Sequence, residues 1–280
     1  NVLLARFFSE DNFALFSLAT LTLVSIAEMS DFGLNGGLAR FVPFYLKQGE
    51  NRKMRQLLRM VWSWRVWMVS ILTLGGIVGS EIISIHVFGQ PLLSPYLRVS
   101  FLGLGGIIFL GFVSTFLKAS EHFSHDAIIQ ILKGILRISG VLLLMFFNIS
   151  NLWWYLSVYV VVPWILFLFS YRFLPRNFVS VEMGSGDREM LKKQIGKFSF
   201  WLTIWSFSAI IASRIDQVLL SNMLSLRDVA IYTAAFQFVF MYSLGLQSLS
   251  AVLMPKFSGI KNKHDLKSLI WKLYKYIPLV

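Results

Sequence analysis

Charged side chains inside apolar runs are the residues of this chain best placed to do chemistry. An arginine at the centre of a membrane-spanning helix costs about 2.5–3.5 kcal/mol on insertion scales, so such a group is kept for a use. Gln130, Lys133 and Arg137 fall in the apolar run 127–147. Their i, i+3, i+7 spacing puts them on one helix face. Lys118 and Arg172 lie at run ends, where long side chains reach the interface. Arg137 lies too deep for that. Two cations one turn apart in an apolar setting call for an anion, either a ligand or an internal carboxylate. Glu28 and Asp31 are the internal candidates.

Glu28, Asp31 and Asn35 share a face of the run 13–38. Two carboxylates three residues apart among apolar neighbours are a place to hold a proton or another coupling ion. The competing reading is a solvated helix end. Arg214, Asp216 and Gln217 fall in the run 198–224. Arg214 and Gln217 share a face there, and Asp216 does not. Other constellations are weak. His122, His125 and Asp126 have metal-compatible spacing but sit in a connection, and no metal site is expected. Gly103, Gly105 and Gly106 follow no strand, so they are not a nucleotide fingerprint. The chain has no cysteine, which removes thiol chemistry. No serine, histidine and acid arrangement is apparent, and no catalytic residue or cofactor is expected.

The elements that carry these residues are membrane helices. Apolar residues make up 56% of the chain and charged residues 14%, with a mean hydropathy of +0.66. Soluble chains carry about 25% charged residues. The net charge of +12 lies in the gaps between apolar runs, which fits membrane orientation and not nucleic acid. A stub at 1–8 is followed by a polar turn at 9–12 and by runs near 13–38, 61–83, 97–117, 127–147 and 152–173. Further runs lie near 198–224 and 229–254, and one starts near 269. Most Lys and Arg fall on one side of this alternation, notably Arg40–Arg59 and Arg188–Lys197. That side is expected to be cytoplasmic, with the turn at Ser9 outside.

The chain also repeats. Val2–Ala19 aligns without a gap to Val218–Ala235, with identities at Val2, Leu3, Leu4, Ser9, Ala14 and Ala19. Gly49–Trp64 resembles Lys261–Tyr276 further on. Such duplication is common in transporters. The expected organisation is a first transmembrane bundle over 1–176, a cytoplasmic linker over 177–197, and a partial second bundle over 198–280. The apolar starts and stops at both ends read as those of a fragment.

LLARFFSEDNFALFSLA followed by DFGLNGGLARF resembles the opening of polysaccharide biosynthesis membrane proteins. DQVLLSNMLSLRDVAIYTAAFQFVF with VLMPKFS is similar to their seventh and eighth helices. These are flippases of lipid-linked oligosaccharides for O-antigen, capsule and related glycans, within the superfamily of multidrug, oligosaccharidyl-lipid and polysaccharide exporters. The resemblance implies an all-α polytopic bundle, a two-lobed V-shaped transporter with its second lobe incomplete here. It implies alternating access in the bacterial inner membrane, among membrane lipids. The implied substrate is a polyprenyl-diphosphate-linked glycan. A polysaccharide polymerase or another glycan-assembly protein is the implied protein partner. Arg40, Lys133, Arg137 and Arg214, with Gln130 and Gln217, suit a diphosphate by charge and hydrogen bonding. Glu28, Asp31 and Asp216 would be the coupling acids. The transport step breaks no covalent bond, so no enzyme is expected. The alternatives are a cation-coupled drug or small-molecule antiporter of the same superfamily, and a membrane enzyme of glycan assembly. The antiporter would favour acidic cavity residues; the enzyme would need a large external loop.

Overall fold

The computed structural model describes residues 2–182, 185–237 and 239, and every described element is helical. The helices are α1 (Val2–Phe7), α2 (Glu10–Met29), α3 (Leu34–Lys47), α4 (Asn51–Ile82), α5 (Ser94–Ala119), α6 (Phe123–Phe146), α7 (Leu152–Ser170) and α8 (Ser185–Met223). A π-helical turn, Ile83–Val87, extends α4, and short 3-10 turns lie at Pro91–Leu93 and Tyr171–Phe173. Five of the described helical stretches are long and apolar enough to cross a membrane. The protein is an all-α, multi-pass membrane protein.

The residues Leu3–Ile231 form one compact unit. α5 is its axis. Of its most apolar stretch 72% is buried, against 11% for α6, although the two are similarly apolar. The difference comes from small residues. A Cβ added at Gly106 would lie 2.9 Å from the backbone nitrogen of Trp164 on α7, so only glycine lets the two helices approach this closely. The Trp164 indole then donates to the Leu102 carbonyl, 3.1 Å away. Below this crossing Trp62 of α4 packs on Phe109 and Phe112 of α5 and on Phe167 and Phe178. Phe178 belongs to the segment after α7, which is further tied down where Gln56 and Arg59 of α4 donate to the carbonyls of Glu182 and Val181.

Three expectations change. The run 13–38 is not one helix but is broken at Ser30–Gly33. Gly33 takes a left-handed φ of +68°, which favours glycine, and a Cβ there would lie 2.7 Å from the Ser199 carbonyl oxygen. The polar turn 9–12 is almost wholly helical, since α2 starts at Glu10. The basic stretch Arg40–Arg59 is likewise two helix ends around a short turn at Gln48–Glu50. The polar stretch 177–197 is helical from Ser185 onward.

α8 lies against the bundle through its two ends. Near its start Ser199 Oγ donates to the Gly33 carbonyl at 3.2 Å. Near its finish Gln90 donates to the Ser221 carbonyl at 3.1 Å, and Asn222 to the Val87 carbonyl at 3.3 Å. α8 ends at Met223 and helix resumes at Leu226, so the repeated stretch 218–235 holds the helix break that the duplication predicts. Ser225 precedes this helix as Ser9 precedes α2. The two turns touch, with Arg227 Nε 2.9 Å from Glu10 Oε2. The run 240–254, the run starting near 269 and the second downstream likeness lie outside the described residues.

Candidate functional site: a charged cavity in the bundle

A cavity of about 370 Å³ opens among α2, the break after it, α3, α4, α5, α6 and α7. Its charged lining is Glu28, Asp31, Arg65, Lys133 and Arg137, and Asn35, Ser114 and Gln130 add polar groups. The sequence therefore placed Glu28, Asp31, Gln130, Lys133 and Arg137 correctly as neighbours of one space, from two separate helices.

Arg65 was missed. It lies on α4, 3% exposed, and it organises one wall. Its Nη2 donates to Asp31 Oδ1 at 3.0 Å and to Asn35 Oδ1 at 2.7 Å, and its Nη1 donates to the Ile108 carbonyl at 2.8 Å. Thr115 Oγ1 also donates to Asn35 Oδ1, at 2.8 Å. The carboxylate of Asp31 accepts from the Asn35 backbone N–H at 3.2 Å, so it caps the start of α3. The helix break thus turns Asp31 and Asn35 toward Arg65. Asp31 is spent on Arg65, and not on Lys133 or Arg137 as the internal-pair reading allowed.

The opposite wall is α6. Arg137 lies fourteen residues from the start of that helix and nine from its end. Its guanidinium stands 4.8 Å from the Tyr159 ring centroid, an attractive cation–π geometry. Its Nε is shut off from solvent with no hydrogen-bond partner. Lys133, one turn earlier, and Arg137 make no ion pair among the described residues. Gln130 leans away to Ser114 Oγ at 3.3 Å. Ser114 in turn donates to the buried Asp126, whose other oxygen lies 3.7 Å from Lys118 Nζ. Asp126 therefore belongs to a hydrogen-bonded knot at the cavity's end, apart from a metal set with His122 and His125.

The remaining expected residues lie elsewhere. Arg40 is exposed on α3, beside the Phe41 ring at 5.6 Å. Asp216 accepts from the Gln217 backbone N–H at 2.9 Å, and the Gln217 side chain is buried on α8. Arg214 lines a different space, an apolar slot between α2, the π-helical turn and α8.

A positively charged cavity inside a multi-pass helical bundle suits the handling of an anionic membrane-bound substrate. The family model described as polysaccharide biosynthesis protein matches residues 1–261. The chain belongs to that family. No curated protein sequence and no solved structure is significantly similar to it. Membership of the polysaccharide biosynthesis proteins agrees with the resemblance of the repeated stretch and of DFGLNGGLARF. It covers the cavity completely, since every lining residue falls inside the match.

Proposed function

We propose that this polysaccharide biosynthesis protein moves a polyprenyl-diphosphate-linked oligosaccharide across the bacterial inner membrane, by alternating access. The observation that carries this reading is the pair Lys133 and Arg137, unpaired by any acid and facing a cavity. Two like charges one turn apart repel, and an anion between them for part of the cycle relieves that. A diphosphate supplies the anion, and guanidinium binds it through paired hydrogen bonds. The step needs only differential binding and motion, so no bond is made or broken and no cofactor enters. Glu28 lines the same cavity and makes no ion pair among the described residues. It is the group best placed to exchange a coupling cation.

A small-molecule antiporter would rest on free acids. Asp31 is not one, because Arg65 holds it. A strain carrying Arg137→Ala is expected to lose surface glycan while the protein still accumulates in the membrane. Arg137→Lys is expected to keep part of the export, since charge remains while the planar fork is lost. Undiminished surface glycan with Arg137→Ala, read by immunoblot, removes the residue from transport and the reading with it.

A further inference from the structure

The second space in the unit is the slot between α2 and α8. It has a volume of about 290 Å³. Leu21 and Ile26 of α2, Val87 and Phe88 beyond α4, and Ile211 and Ile215 of α8 form its walls. An apolar cavity of about 150 Å³ with such walls stays dry and takes a benzene-sized hydrocarbon, so this slot has room for a longer chain. It persists because α8 is fastened at its two ends, at Gly33 and at Val87–Gln90, and not between them.

Two polar atoms interrupt the apolar wall. Arg214 Nε and Ser25 Oγ are both shut off from solvent and have no hydrogen-bond partner. Buried polar atoms are rarely left so, and a donor pair in an apolar slot fits an oxyanion at the head of a hydrocarbon. Arg214 also stands within electrostatic reach of Glu28, which lines the charged cavity. The cationic point of the slot therefore adjoins the cavity across α2.

We propose that this slot is a binding site for the polyisoprenyl chain of the transported lipid, with Arg214 at the phosphate end. This rests on the flippase reading, and it adds where the tail goes. Lys133 and Arg137 would hold the charged head group in one part of the cycle, and Arg214 would hold the same phosphates in another. The chain would stay covered by α2 and α8 throughout, out of contact with the charged cavity.

The test uses purified protein in detergent, with binding read by native mass spectrometry and thermal shift. The probes are a polyprenyl monophosphate, the free polyprenol, phosphatidylglycerol and inorganic diphosphate. Ile211 is half exposed, so Ile211→Trp fills the slot without disturbing a packed core; Ile215→Trp is a second, independent filling. Either is expected to weaken polyprenyl phosphate at least tenfold, and Ile211→Leu is expected to leave it unchanged. Arg214→Gln is expected to weaken the phosphate and not the alcohol. Wild-type binding of polyprenyl phosphate by both tryptophan variants overturns the site. So does phosphatidylglycerol binding as tightly as the polyprenyl lipid, which assigns the slot to bulk lipid. Failure of the flippase reading is seen separately, as inorganic diphosphate binding that ignores Arg137→Ala. Polyprenyl binding lost with Ile211→Trp upholds the slot even then.

Discussion

The two walls of the charged cavity hold the same residue type in opposite conditions. Arg65 on α4 has three acceptors and a carboxylate against it. Arg137 on α6 has a tyrosine ring and an orphaned Nε. Each sits deep in a helix of an apolar bundle, so each carries a desolvation cost of the same kind. On the α4 wall the protein offsets that cost internally. On the α6 wall it leaves the offset to something that comes and goes. A charge satisfied at rest is part of the frame, and a charge left open at rest is available to a ligand.

The largest effect expected from this contrast is on stability at Arg65. Removing one partner of a buried pair typically costs about 3–5 kcal/mol, because the other charge is left uncompensated. Arg65→Met is therefore expected to destabilise strongly, through Asp31 and the cap on α3. Adding Asp31→Asn to it should recover part of the loss, since the orphaned charge goes. Unfolding in mixed micelles measures both. An Arg65→Met protein as stable as wild type, or a double variant worse than the sum of the singles, breaks the distinction between the walls.

Arg137→Ala is expected to behave in the opposite way. Only the contact with Tyr159 is lost, about 1 kcal/mol for a cation–π pair, and relief of repulsion with Lys133 offsets some of it. Stability should change little while export falls. The sharper form of the comparison is this double dissociation, read in one series of membranes. Equal destabilisation by Arg65→Met and Arg137→Ala would mean that both walls are frame.

The α6 wall was legible in the sequence and the α4 wall was not, for a physical reason. Lys133 and Arg137 interrupt a long apolar run, so their cost is visible without knowing the fold. Arg65 stands six residues after Arg59, the last of a basic stretch, and among Trp62, Trp64 and Trp67. That pattern reads as a membrane interface. It is misleading because α4 begins at Asn51 and continues to Ile82, which carries Arg65 inside the bundle. The break after α2 was half legible. Gly33, Gly36 and Gly37 announce looseness there, but which of Asp31 and Asn35 would turn to face α4 depends on a partner far along the chain. Helix number and order came from apolar run length alone, whereas the slot beside α8 comes from how two distant helices meet, which no local pattern encodes.

The smallest effect expected lies at the surface, between the two copies of the repeated turn. Ser9 makes no side-chain cap to α2. Ser225, its counterpart, donates through its backbone N–H and its hydroxyl to Asp228 Oδ2. These bonds, the hydroxyl first, hold the Asp228 carboxyl below its ordinary value of 3.8. The position matching Asp228 in the first copy is Asn12, which does not titrate. A carboxyl with a depressed folded pKa stabilises the fold fully above its ordinary value, and the contribution is lost as pH falls through the folded one. Hydrogen exchange at residues 226–230 should therefore quicken between about pH 5 and pH 3, after correction for intrinsic rates, while the start of α2 does not respond in this way. The change is small because the group is exposed and screened. Asp228→Asn should flatten it. Protection that falls equally in the variant, or equally at both turns, would place the pH response elsewhere and leave the two copies energetically alike.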